Sequence, residues 1–259
     1  MQGENLSVNP PSPYLRDTLE VENGYLKNPL TPIGGQIQNN RIFDKLEQFG
    51  LTMAQALIIA NGDLPENEKW THVIDANTTV IACDGAIHKC YDRGVNVDVL
   101  IGDLDSIEKN KLLGEENFEG ATIHITDQED NDLMKAINYA IEQQFDNIVL
   151  TGILGGNQAH QFANLLSVGI TMQSLTVIHA GGIIRNVNKF HPFSHSIEIG
   201  GRFSVFSINN TIGVSITGSK WNLSNVNLPP SARGLNNVAT SETIDIVCQE
   251  GNLLVFIDG

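Results

Sequence analysis

Hydrophobic residues along this chain keep two different rhythms. From Ala56 onward, short apolar runs appear at "ALIIA", "TVIAC", "VDVLIG", "ATIHIT", "NIVLTGI" and "LTVIHA". Helix-like segments lie between several of them. The best is "NDLMKAINYAIEQQ", where Leu133, Ala136, Ile137, Ala140 and Ile141 recur at helical spacing. This alternation predicts a largely parallel sheet covered by helices, with strands buried on both faces. After about Gly182 the helical period stops. "HSIEIG", "RFSVFSI", "GVSITG", "TIDIVCQ" and "NLLVFI" mostly alternate apolar with polar residues, and Gly, Asn and Pro separate them. That predicts antiparallel β structure, with "QEGN" as a hairpin turn. The expected fold is α/β followed by all-β: a parallel-sheet α/β domain over 51–182, then a β-sandwich or small barrel over 183–259. The first forty or so residues hold five of the nine prolines and little periodic pattern, so 1–50 is expected to be a flexible extension. Within it, "RIFDKLEQFG" predicts a short amphipathic helix with Ile42, Phe43 and Leu46 on one side.

Composition narrows the function classes. A formal charge of −15 on 259 residues argues against nucleic acid, whose phosphates recruit basic surfaces. The same charge repels an anionic substrate unless a cation comes with it. No apolar run is long enough to span a bilayer, and no basic-then-apolar leader is seen at the start, so a soluble, cytoplasmic protein without a membrane partner is expected. Cys83, Cys90 and Cys248 show no CxxC pairing and read as small buried residues.

Candidate chemistry falls where the strands end. In open α/β sheets, ligands bind beyond the carboxyl ends of the strands. Asp84 follows "TVIAC", and Asp103 and Asp105 follow "VDVLIG". Asp127, Gln128, Asp130 and Asp132 follow "ATIHIT"; Gly155, Gly156, Asn157 and His160 follow "NIVLTGI". Two carboxylates as close as Asp103 and Asp105 repel each other unless a hard divalent cation sits between them, and oxygen ligands are what Mg²⁺ prefers. The bland alternative for any single acid is a helix N-cap or a solvated loop residue.

These segments also carry a family resemblance. "CDGAIHKCYD" (83–92), "IGDLDSI" (101–107), "DQEDNDLMKA" (127–136) and "GILGGNQAHQFANLL" (152–166) resemble the thiamine pyrophosphokinases in order and spacing. "TGSKWNL" (217–223) and "GLNNV" (234–238) resemble that family's thiamine-site segments. The resemblance runs from about Ala56 to Gly259. It implies transfer of a pyrophosphoryl group from ATP to thiamine, giving thiamine diphosphate and AMP. It implies a homodimer, with thiamine between the α/β domain of one subunit and the β domain of the other. On this resemblance Asp103 and Asp105 hold Mg²⁺, and Asp132 joins them or orients the thiamine hydroxyl. Gln128 and Lys135 contact the nucleotide, and Asp84 supports its pocket. Asn131, Asn157 and His160 belong to the same nucleotide-side segments. Trp221 stacks on the thiamine pyrimidine, with Asn236 and Asn237 close by.

The chain departs from the family pattern at four places. The usual "GGRxDH" reads "GGNQAH", so Asn157 stands for Arg and Ala159 for Asp. The Thr-Asp pair at the helix start is Asn131-Asp132, and the Ser-Asn pair is Asn236-Asn237. A lost arginine near phosphates removes charge and a planar fork that Asn cannot supply. Lys135, Arg185 and Arg202 are the candidate replacements. The departures keep open a second reading, a non-catalytic or weakly active homologue that binds thiamine, thiamine diphosphate or nucleotide. A third reading, "DLD" as an aspartyl-phosphate phosphatase motif, is disfavoured because that chemistry needs its nucleophile after the first strand.

Overall fold

The computed structural model describes residues 21–22, 25–26, 54–103, 118–126 and 129–259. The chain divides into two units, Met1–Leu51 and Thr52–Gly259. In the first, strands β1 (Val21–Glu22) and β2 (Tyr25–Leu26) pair antiparallel. The predicted helix over 41–50 lies outside the described residues, as does the rest of that unit.

The second unit is built on a mixed sheet with helices. Strands β3 (Gln55–Ile59), β4 (Thr78–Cys83), β5 (Val99–Gly102), β6 (Ala121–His124), β7 (Asn147–Thr151) and β8 (Leu175–His179) all run parallel. The apolar runs account for this. Ala56, Leu57, Ile58 and Ile59 are all fully buried, as expected of a central strand covered on both faces. β6 differs: it is the terminal strand of the sheet, and Ala121, Thr122 and His124 are exposed.

Helices α1 (Asn67–Trp70), α2 (Ile87–Asp92), α3 (Asp132–Glu142) and α4 (Gln158–Ile170) cover the parallel strands. On α3, Leu133, Ala136, Ile137 and Ala140 are buried against β3, β4 and β5, as their spacing predicts, while Ile141 is exposed. Among the described residues no helix is long and apolar enough to cross a membrane.

The sheet does not stop at residue 182. β9 (Gly182–Asn188) pairs antiparallel with β8 through a tight turn at Gly181, and β16 (Asn252–Asp258), β11 (Arg202–Ser207) and β14 (Asn237–Val238) continue from it. The order is β14-β11-β16-β9-β8-β7-β3-β4-β5-β6, ten strands in one sheet. A second sheet contains β10 (Phe193–Ser196), β15 (Thr243–Val247), β12 (Thr211–Thr217) and β13 (Leu223–Leu228). Val187, Phe203, Val205, Val255 and Ile257 of the large sheet share one apolar core with Val214, Ile216, Ile244 and Ile246 of the small one.

One expected turn is corrected. "QEGN" does not close a hairpin, because β15 lies in the small sheet and β16 in the large one. Gly251, at a φ of 88°, turns the chain from one layer to the other. Alternation within a strand reports which face is buried and carries no information about its hydrogen-bonded neighbour.

Candidate active site

The parallel strands all end on one edge of the sheet, and the loops beyond them form a polar rim. Its floor is tight. The parallel register sets Cys83 beside Ile101, so the residues that follow β4 and β5 emerge together. Asp84 is fully buried there, and a Cβ on Gly102 would lie 2.5 Å from the Asp84 Cβ. Only a residue without a side chain lets β5 pass so close to that aspartate. Asp103, partly buried, is the next residue.

Asp132 reaches the same floor from α3. Burial pushes the Cys83 thiol pKa up, and the charges of Asp132, Cys90 and Asp84 push it the same way. Asp132 and Asp84 therefore both sit near the end of β4. The Asp132 carboxylate accepts a hydrogen bond from Lys135 Nζ at 3.2 Å, and Lys135 is 5% exposed. The pair joins a carboxylate to a nearly buried ammonium at the rim.

Asn131 caps α3. Its Oδ1 accepts from the Met134 N–H at 2.8 Å, and its Nδ2 donates to Asn164 Oδ1 at 3.1 Å. Asn164 in turn donates to the carbonyl of Ile153 beyond β7 at 2.9 Å. Asn157 is the corresponding cap of α4, accepting from the N–H groups of Ala159 at 2.8 Å and His160 at 3.3 Å. The two Asn side chains that replace Thr and Arg of the family pattern are thus both engaged with helix starts. His160 is exposed on the first turn of α4.

Asp105 and Gln128 lie outside the described residues, as does Asp127. Asp130 is exposed and accepts from Asn138 Nδ2 at 3.4 Å. Among the described residues no three His, Cys, Asp or Glu side chains close on a common metal position. The rim's donors are nonetheless carboxylate oxygens, the hard ligands that Mg²⁺ takes.

Of the candidate replacement cations, only Lys135 stands at the rim. Arg185 lies on β9 opposite Thr176, to whose hydroxyl it donates, and Arg202 lies on β11. In the sheet order β9 is four strands from β4 and β11 is six, about 19 and 29 Å at roughly 4.8 Å per strand.

The structure adds residues that the sequence pattern did not single out. After β3, Gly62 N–H donates to the Gly152 carbonyl at 2.6 Å and Asp63 N–H to the Leu154 carbonyl at 2.7 Å. These bonds lock the β3 and β7 loops together. Lys89 of α2 donates to the carbonyls of Asn61 and Gly62 at 2.7 and 2.8 Å. Gly62, Asp63, Leu64, Lys89, Asp92 and Arg93 line an open cleft of about 410 Å³ beside the rim. The signal was present: "NGD" follows the apolar run "ALIIA" by the same strand-end rule, and Lys89 lies inside "CDGAIHKCYD".

Trp221, Asn236 and Asn237 form a separate corner. Trp221 is 54% exposed, with Lys220 Nζ 4.6 Å from its ring centroid. Asn236 is exposed in the left-handed region at a φ of 57°, and Asn237 is buried on β14. In the sheet order β14 is seven strands from β4, about 34 Å away within one chain at roughly 4.8 Å per strand. The structure therefore brings Asp84, Asp103, Asp132 and Lys135 together and leaves the Trp221 corner apart from them.

The fold is similar to those of several solved structures, among them the following three. Thiamine pyrophosphokinase from Bacillus subtilis has 21% identity and a TM-score of 0.68, over 79% of this chain and 98% of that one. Thiamin pyrophosphokinase from Candida albicans has 15% identity and a TM-score of 0.60, over 79% and 89%. Yeast thiamin pyrophosphokinase has 14% identity and a TM-score of 0.62, over 80% and 86%. No curated protein matches the chain. Residues 70–178 match the family described as thiamin pyrophosphokinase, catalytic domain, and this segment runs from α1 to β8 and includes every acid of the rim. Over those residues the chain is similar to the catalytic domain of the thiamin pyrophosphokinase family.

Proposed function

We propose that the chain is a thiamine pyrophosphokinase, a transferase that moves a pyrophosphoryl group from ATP to the hydroxyethyl oxygen of thiamine and releases AMP. One observation carries this reading: the family match falls on the segment that carries Asp84, Asp103, Asp132 and Lys135. Transfer of this kind depends on positioning and on neutralising phosphate charge rather than on covalent chemistry by the protein.

The rim suits that task. Mg²⁺, held by Asp103 and Asp132 together with Asp105, would neutralise the ATP phosphates against a chain of charge −15. Lys135, fixed by Asp132, offers an ammonium to the same phosphates. Asp132 is placed to orient the attacking hydroxyl. Asp84, beneath Gly102, holds the floor of the nucleotide site, and the loop of Asn61 to Asp63 with Lys89 forms its wall.

Thiamine is cationic and flat, and an indole face suits it. Because the Trp221 corner is so far from the rim of its own chain, the reading includes a homodimer with each site completed by the partner subunit. An exposed apolar stripe supports such a contact: Phe162, Leu166 and Ile170 share one face of α4, with Met172 just beyond. The finer division follows from this, an α/β part over 51–182 for nucleotide and a β-sandwich part over 183–259 for thiamine. A cytoplasmic location belongs to the same reading.

Asn157 favours a second reading, a homologue that binds these ligands without turning them over. Its side chain is spent on capping α4, so no arginine fork stands in that loop. Release of AMP from ATP, dependent on thiamine and Mg²⁺, separates the two. AMP formation supports the enzyme. Calorimetric binding of thiamine and Mg-ATP with no AMP supports the binding protein.

A further inference from the structure

Asn237 is 5% exposed, and its amide is fully committed. Oδ1 accepts from the N–H of Trp221 at 3.2 Å and of Val238 at 2.9 Å. Nδ2 donates to the Trp221 carbonyl at 3.0 Å and to Ser219 Oγ at 3.1 Å. An asparagine amide has two N–H donors and an oxygen with two lone pairs, so these four bonds use all of it. Nothing is left with which to bind a ligand.

All but one of those bonds, the one from the Val238 N–H, go to the turn that carries Trp221. Ser219 is held again by Asn222 Oδ1, which accepts from both its N–H and its hydroxyl at 3.0 Å. Lys220 N–H donates to the Val238 carbonyl at 2.8 Å, and Thr240 N–H to the Gly218 carbonyl at 2.8 Å. The main chain of Trp221 is thus clamped from both sides, while more than half of its side chain remains exposed. An exposed indole gains little order from packing, so its direction depends on its backbone. Asn236 turns the chain in the left-handed region just before the clamp, a conformation that Asn tolerates.

We infer that Asn237 is a positioning residue that fixes the main chain of Trp221 and presents the indole to a flat cationic ligand, without touching that ligand itself. The ligand part of this inference rests on the thiamine reading; the clamp does not.

The test uses the full chain labelled with 5-fluorotryptophan. It has two indoles, Trp70 fully buried and Trp221 exposed, and Trp221→Phe assigns their ¹⁹F resonances. In Asn237→Ala the Trp221 resonance should move towards the solvent-exposed position and sharpen, while that of Trp70 stays in place and reports an intact fold. If the Trp221 resonance does not move, the clamp is refuted. Should Asn237→Ala fail to fold, Ser219→Ala, which removes one of the four partners, should move the same resonance less, and no movement refutes the clamp. Thiamine titration then separates presenting from touching. Asn237→Ala and Trp221→Ala should each weaken thiamine on the order of tenfold, the size of one stacking contact. The double variant should be no weaker than Trp221→Ala alone, because a clamp acts only through the ring it holds. Additive losses would make Asn237 a direct contact and overturn the inference. If the wild-type chain does not bind thiamine, the functional reading fails, and the ¹⁹F result still decides the clamp.

Discussion

The acid rim and the Trp221 corner both bring polar groups to a sheet edge, but by different means. At the rim, position comes from the backbone. Parallel register sets the strand ends side by side, Gly102 admits Asp84 by lacking a side chain, and Asn131 and Asn157 start the two helices. At the corner, a buried amide does the positioning, and the residue presented is left largely in water. The contrast separates two kinds of departure from the family pattern. Asn can replace Thr as a helix cap because capping asks only for one acceptor oxygen, and at position 157 it supplies an acceptor that Arg does not carry. A cation beside phosphate has no such substitute among polar neutral residues.

The strongest way to break this comparison is to remove charge from the rim. Asp103→Asn should lower thiamine-dependent AMP formation about a hundredfold or more, the scale of one lost electrostatic contact in a transition state. Its melting temperature should hold or rise, since a crowded acidic site loses repulsion. A fall in stability with unchanged turnover would make Asp103 structural. Whether rim and corner of different subunits cooperate is tested by mixing two impaired variants, Asp103→Asn and Trp221→Ala, at a thiamine concentration too low to saturate Trp221→Ala. If each site spans a homodimer, random mixing should recover up to about a quarter of wild-type activity, through mixed dimers with one intact site. No recovery would place both regions in one subunit's site.

The cap assignment sharpens the contrast at smaller scale. Asn157→Ala should destabilise the protein by about 1 kcal/mol in denaturant melts, and Asn157→Asp should not. Asn157→Arg restores the family residue but removes the cap, so any gain in rate should come with that same loss of stability. At the corner, Lys220 occupies a face of Trp221. Lys220→Met should tighten binding of a cationic heterocycle by a few-fold, because an exposed cation–π contact is worth about 0.5–1 kcal/mol. Weaker binding would mean that Lys220 helps to hold the ligand.

The smallest expected effect concerns pH, and it belongs to the antiparallel part and the end of β8 that adjoins it. Burial lowers the pKa of His179, His191 and His195, with Arg185 adding to the effect on the last two and Lys69 on the first. Histidines with a lowered folded pKa favour the native state above their unfolded value, about 6.5. Stability from these groups should therefore decline as pH falls below that value. Arg185→Gln should shallow the decline by removing the charge that His191 and His195 share. An unchanged acid limb would show that these histidines do not contribute to it.

Much of this arrangement was readable from one chain of letters. Strand and helix periods depend on which side chains face a core, and that is a local property of the pattern, so β3, β4, β5, β7, β8 and α3 fell where their spacing predicts. The carboxylates after the strands followed from the same periods, because a strand's end dictates where its next residue emerges. Partnership between distant segments was not readable. Nothing in "TIDIVCQEGNLLVFI" says that β15 and β16 leave for different sheets, since hydrogen bonding between strands uses main-chain groups that every residue carries. Nor does "GLNNV" say that one asparagine is exposed and its neighbour buried beneath Trp221. The sequence by itself determined the elements, the acidic rim and the excess of negative charge. Only the tertiary structure decided that Asn157 is a cap, that Arg185 and Arg202 lie strands away from the rim, and that Asn237 spends three of its four amide bonds on the turn that carries Trp221. Local pattern encodes burial; which polar group meets which is decided only when the chain has closed on itself.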